Sequence, residues 1–98
     1  MEEALREVAA EFLAREAGPQ SLITVTGARL AQTGGACDIL ITVLPEEQEA
    51  PAVEFANRNA REFARFFETR VRGMRAPRVT FVIDRGEKNR RRLDELTD

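Results

Sequence analysis

The chain contains no histidine, tryptophan or tyrosine, and one cysteine, Cys37. Without histidine it lacks the commonest general base and the commonest metal ligand. A single cysteine forms neither an internal disulfide nor a zinc cluster. To act as a nucleophile, Cys37 would need a base or a helix N-terminus beside it, and it stands among strand-forming residues. No glycine-rich phosphate loop or other catalytic spacing accompanies the carboxylates. The residue set argues against an enzyme and implies no catalytic residue, metal, cofactor or small-molecule substrate.

Long apolar runs are missing too. The best stretch, residues 39–44, is broken by Thr42, far short of the roughly 20 residues of a membrane span. Glu2 and Glu3 directly after Met1 do not fit the basic-then-apolar order of a secretory leader. A cytoplasmic protein with no membrane partner is expected. Its 98 residues suit one domain with a modest core. At 43% hydrophobic and 33% charged it is too apolar for a disordered tail.

The formal net charge of −2 conceals a division. Residues 1–50 carry three Arg against nine acids, a net of −6. Residues 51–98 carry twelve Lys or Arg against eight acids, a net of +4. Between positions 58 and 78, seven Arg face only Glu62 and Glu68. A basic stretch on a mildly acidic chain suits a polyanionic partner for one face.

The hydrophobic pattern predicts the elements in order. Residues 2–17 form an amphipathic helix, with Leu5, Val8, Phe12 and Leu13 at helical spacing. Gly18-Pro19 stops it. Residues 22–26 and 37–44 are dense in β-branched side chains, and Gly34-Gly35 between them marks an antiparallel hairpin. The second strand is apolar on both faces, as in the middle of a sheet. Residues 45–51 read as a polar connector. From 52 to about 74, Ala56, Ala60, Phe63, Phe67, Val71 and Met74 make one helical stripe. Arg58, Arg61, Arg65, Arg72 and Arg75 repeat at the same spacing on another face. Residues 79–83 form a third strand. Residues 87–96 are a short helix or frayed tail docked by Leu93 and Leu96. The expected class is α+β, order α-β-β-α-α-β, a three-stranded mixed sheet covered on one face by helices, with strands two and three parallel.

This arrangement resembles the ribosome-binding factor A family. The likeness lies in Ile23-Thr24-Val25-Thr26 and Ile39-Leu40-Ile41-Thr42-Val43-Leu44, in Arg75-Ala76-Pro77-Arg78 leading through Phe81 to Asp84, and in Leu93 and Leu96. It runs over nearly the whole chain. The resemblance implies a type II KH-like domain over 1–98, with 85–98 a loosely docked helical tail. It also implies a non-catalytic, monomeric factor that binds 16S rRNA in the free or maturing 30S subunit. In the family, late small-subunit assembly, 5′-end processing of that RNA and growth in the cold depend on the factor. Where the family has an Ala-x-Gly interruption between its middle helices, either Asn59-Ala60-Arg61 or Ala60-Arg61-Glu62 stands here. A bend there has to come from Asn59 or stay shallow.

The candidate RNA contacts are Arg58, Arg61, Arg65, Arg70, Arg72, Arg75 and Arg78. Guanidinium groups bind phosphates in bidentate geometry, and an RNA strand needs several along one line. The other reading of the same residues is a solvated helix face with pairs such as Arg65–Glu68. Arg90-Arg91-Arg92 is a second candidate contact. Phe55 and Phe66 fall off the main stripe and read as flanks of the core before they read as base-stacking surfaces. The alternative function is a KH-like protein-interaction or dimerisation module without strong RNA binding.

Overall fold

The computed structural model describes residues 1–97, with side chains described for residues 1–90 and for Leu93. The helices are α1 (Glu2–Glu16), α2 (Glu49–Arg58), α3 (Ala60–Arg70) and α4 (Arg85–Thr97). The strands are β1 (Leu22–Leu30), β2 (Ala36–Leu44) and β3 (Arg78–Ile83), and a single 3-10 turn, Glu46–Gln48, precedes α2. The sheet order is β1-β2-β3. β1 pairs antiparallel with β2, and β2 pairs parallel with β3. The class, order and strand directions are those expected from the sequence, with β2 in the centre.

Three boundaries differ, each for a physical reason. α2 begins at Glu49 rather than 52 and takes in Pro51. Proline is tolerated there because first-turn N–H groups have no intrahelical acceptor. β1 runs on to Leu30, past the expected end at 26, because a bulge at Thr26 resets the register between Val25 and Gly27. Bulges of this kind bend a strand without ending its pairing. The third difference matters most for function. α3 ends at Arg70, not near 74, because Val71 is extended (φ −122°, ψ 92°) and Gly73 takes φ +83°. A β-branched residue favours that extended backbone, and glycine adopts the positive φ at little cost. Met74, expected on the apolar stripe, is 38% exposed in the loop that follows.

The core lies between the sheet and α1–α3. α1 contributes Leu5, Val8, Ala9, Phe12 and Leu13, the spacing of one helical face. Cys37, Ile39, Ile41 and Val43 alternate along β2 onto the same side, joined by Val79 and Phe81 of β3. Phe63 and Phe67 cover them from α3. The ring of Phe63 meets that of Phe12 at 5.6 Å and that of Phe81 at 5.8 Å, both edge to face. Such pairs add to the stabilisation from burial alone.

Between α2 and α3 the break is one residue, Asn59 (φ −99°, ψ 14°). Its side-chain amide donates to the Phe55 carbonyl at 2.8 Å, and its own carbonyl accepts from the Phe63 N–H at 2.9 Å. The bend expected at this junction falls on Asn59, whose side chain and carbonyl satisfy backbone groups left open there.

Asn57 fastens this helical layer to the sheet. Its Nδ2 donates to the Phe81 carbonyl at 3.0 Å, and its Oδ1 accepts from the Phe81 N–H at 2.8 Å. Both polar groups of Phe81 on the outer edge of β3 are thereby satisfied, which also blocks strand addition there. Asn57→Ala removes both bonds at once and is expected to cost about 1–3 kcal/mol, read from urea denaturation. An unchanged midpoint would show that water replaces the amide without loss.

Asp84 caps α4. One carboxylate oxygen accepts from the Glu87 N–H at 3.0 Å and the other from the Thr26 hydroxyl at 2.6 Å. The bulge in β1 thus delivers Thr26 to the start of α4. Lys88 then bridges Glu46 at 2.8 Å and Glu49 at 3.1 Å. Leu93, expected to dock this helix, is 61% exposed; Leu96 lies outside the described side chains. The bond from Thr26, with help from the Glu87 N–H, holds the Asp84 carboxyl below its ordinary value. A carboxylate depressed on folding stabilises the fold fully above the unfolded value, near 3.9, and loses that contribution as pH falls through the lower folded value. Asp84→Asn should flatten that acid limb in pH-dependent melting; an unaltered limb would show that other carboxylates set it.

Candidate nucleic-acid interface

The seven arginines do not form one helical stripe. Arg58 is the last residue of α2, Arg61 and Arg65 lie on α3, and Arg70 ends it. Arg72 and Arg75 stand in the loop 71–77, and Arg78 opens β3. The early end of α3 therefore corrects the expected placement of Arg72 and Arg75. Asn57 holds the end of α2 against the middle of β3, and Arg78 is three strand residues, about 10 Å, from that point. The loop is tied back by Glu68, whose carboxylate accepts from the Ala76 N–H at 3.1 Å. Glu68 is therefore used on the loop, and the expected Arg65–Glu68 pair is replaced by Arg65–Glu62 at 3.1 Å.

Ion pairing divides the seven. Arg70 bonds Glu11 of α1 at 2.8 Å and lies 4.5 Å from the centre of the Phe66 ring. The Arg70 guanidinium holds the Glu11 carboxyl below its ordinary range. Arg70 is thus a brace between α1 and α3. Arg65 with Glu62 is an exposed pair on one helix, of the kind worth only a few tenths of a kcal/mol. Arg58, Arg61, Arg72, Arg75 and Arg78 are all exposed and have no ion-pair partner among the described residues. An exposed guanidinium with no internal carboxylate is available to an external anion, and a line of them suits a phosphate backbone.

The other candidates sort as follows. Arg90 pairs with Glu87 at 2.8 Å, while the side chains of Arg91 and Arg92 lie outside the described residues. Cys37 is buried, and that burial pushes its thiol up from the ordinary value, away from a reactive thiolate. Phe12, Phe63, Phe67 and Phe81 are buried in the core as expected, and Phe66 packs on its flank. Phe55 is half-buried and lines an open groove of about 380 Å³ with Pro51 and Ala52. No Arg or Lys lines that groove, so Phe55 has no phosphate-binding neighbour in it. The sequence did not single out Asn57, and it gave Thr26 and Glu68 other roles, in a strand and as a partner for Arg65. Each acts through a backbone group or a side chain distant in the chain, and no local spacing signals such contacts.

No family sequence model matches this chain, and neither does any curated protein. Solved structures do. The crystal structure of ribosome-binding factor A from Thermus thermophilus aligns with a TM-score of 0.75 and 28% identity, covering 86% of this chain and 92% of that one. Coordinates of the Thermus thermophilus factor fitted into a cryo-EM map of a 30S–factor complex align at 0.73 with 27% identity, over 86% and 91% of the two chains. The solution structure of a Thermotoga maritima protein provisionally assigned to the same family aligns at 0.68 over 82% and 79%; at 22% identity it speaks to the fold alone. Among the described residues no helix is long and apolar enough to cross a membrane. Shared element order, and more than a quarter identity over nearly all of the Thermus factor, make this chain similar in fold and in sequence to ribosome-binding factor A.

Proposed function

We propose that this protein binds 16S rRNA in the free or maturing 30S subunit and assists late small-subunit maturation, including processing of the RNA 5′ end. The observation that carries this reading is the set of exposed, unpaired arginines around the α2–α3 junction and the start of β3. Likeness to the Thermus factor, which was fitted into a 30S complex, supports the choice of partner. Nothing in the arrangement calls for a covalent step; the chemistry is phosphate recognition. The factor acts as a monomer in the cytoplasm. Arg58, Arg61, Arg65, Arg72, Arg75 and Arg78 hold the RNA backbone, while Arg70 positions α3 against α1.

The test is sedimentation of the tagged protein with purified 30S subunits and with 70S ribosomes at rising salt. Co-migration with 30S at low salt and release as salt rises is expected. Absence from the 30S fraction at every salt concentration would overturn the reading. Recovery of protein partners free of rRNA in a pull-down at low magnesium would favour the protein-interaction module.

A further inference from the structure

Where the end of α1 meets α3 lies an open pocket of about 330 Å³, lined in part by Arg65. Phe12 and Phe66 form its apolar side, and Glu16, Asn59, Glu62 and Arg65 its polar side. Its volume is at the lower end of the range for sites that take a small planar ligand. The Phe66 ring is half-buried and carries two cations, Arg70 at 4.5 Å and Arg15 at 5.3 Å from its centre. With those cations over the ring, the flat surface open to a base is the exposed Arg65 guanidinium that lines the pocket, and unstacked bases rest on guanidinium planes as they do on aromatic ones.

The carboxylates narrow the choice of base. Glu62 is engaged by Arg65, and Glu11 just outside the pocket by Arg70. Glu16 is exposed and has no hydrogen-bond or ion-pair partner among the described residues. Both of its oxygens are open acceptors. Guanine alone among the four RNA bases presents two adjacent donors, N1–H and the N2 amine, on its Watson–Crick edge. Adenine, cytosine and uracil each offer one donor there, set beside an acceptor that a carboxylate repels.

We propose that this pocket takes a guanine base extruded from RNA, with Glu16 accepting two hydrogen bonds from its Watson–Crick edge. The inference rests on the RNA-binding reading above and adds a base preference to it. Arg65 belongs to both features, lining the pocket and continuing the line that holds the backbone. A strand whose phosphates follow Arg61 and Arg65 therefore passes the mouth of the pocket. The arginines hold any sequence, and Glu16 chooses among bases, the usual division between positioning and specifying contacts.

The experiment uses the full chain and two labelled uridine decamers, one with a single central guanosine and the other with a central adenosine. Fluorescence anisotropy at fixed low salt should show the guanosine strand binding roughly tenfold more tightly, the discrimination of a modest bidentate contact. Glu16→Gln replaces one acceptor oxygen with a donor. It should bring the two affinities within about twofold of each other by weakening the guanosine strand, while the adenosine strand, now facing one carboxylate fewer, should bind no more weakly than to the parent. Position 16 is exposed at a helix end, so the variant should melt as the parent does. Millimolar guanosine monophosphate should fail to displace the guanosine strand. Displacement at far lower concentration would reassign the pocket to a free nucleotide and overturn the inference. Equal parental affinities, or a guanosine preference that survives Glu16→Gln, would overturn it while 30S sedimentation leaves the RNA reading intact. Failure of both oligomers and of sedimentation would remove the RNA reading and this inference with it.

Discussion

Phe63→Ala is expected to lower stability by about 3–5 kcal/mol. Phe63 is fully buried, and its ring touches those of Phe12 on α1, Phe67 on its own helix and Phe81 on β3. One side chain therefore joins α1 and α3 to the sheet. Truncation loses the transfer free energy of the ring and leaves a cavity walled by other rings, which cannot collapse into it without leaving their own rotamers. The lost edge-to-face contacts add to the cost. Set against a total stability of roughly 5–15 kcal/mol, the variant stands near the unfolding threshold. At roughly 4–8 °C per kcal/mol for a domain of this size, the melting temperature should fall by well over ten degrees. Phe66→Ala serves as the comparison, because Phe66 is only half-buried and should cost less. A fall of one or two degrees for Phe63→Ala would show that the three helices and the sheet hold together without it.

Most of this architecture was legible because it follows from periodicity. Leu5, Val8, Phe12 and Leu13 recur every three or four residues, and β2 alternates its buried side chains around Ile39 and Ile41. Gly34, at φ +78°, supplied the turn that makes β1 and β2 antiparallel. The end of α3 was not legible in the same way. Val71 and Met74 continue the helical spacing, so the pattern alone carries the helix four residues too far. Backbone preference decides it instead, through the extended Val71 and the left-handed Gly73. The consequence falls on the site: Arg72 and Arg75 keep their exposure but leave the helix. Arg70 shows a second limit. Its charge reads the same as its neighbours', yet Glu11, 59 residues earlier in the chain, binds it and converts it from a candidate contact into a brace. Pairing across α1 and α3 has no local spacing from which to infer it.

That division among the arginines carries the largest expected functional effect. Reversal of both Arg61 and Arg65 to Glu should abolish most of the affinity for small-subunit RNA. Each phosphate contact releases condensed counterion, so log affinity falls linearly with log salt, with a slope of roughly −0.7 to −0.9 per contact. Substituting one of these arginines by Ala should reduce the magnitude of that slope by about one unit, for any RNA sequence. The double reversal should remove about two and add repulsion against the same phosphates. Stability should change little, since both side chains are exposed and the Arg65–Glu62 pair is of the weak surface kind. Arg70→Ala should do the opposite: it frees Glu11 and uncovers Phe66, so melting shifts while the salt slope holds. Arg6, paired with Glu3 on α1, is the neutral control, and its replacement should leave RNA binding as it was. The readout is RNA affinity across a salt series for the parent and these variants. Binding that survives the double reversal, or that shows no salt slope in the parent, would exclude the arginines of the α2–α3 junction as the contact. A slope reduced as much by Arg70→Ala as by Arg61→Ala would mean that the Glu11 pair opens on binding, and the brace would then belong to the interface.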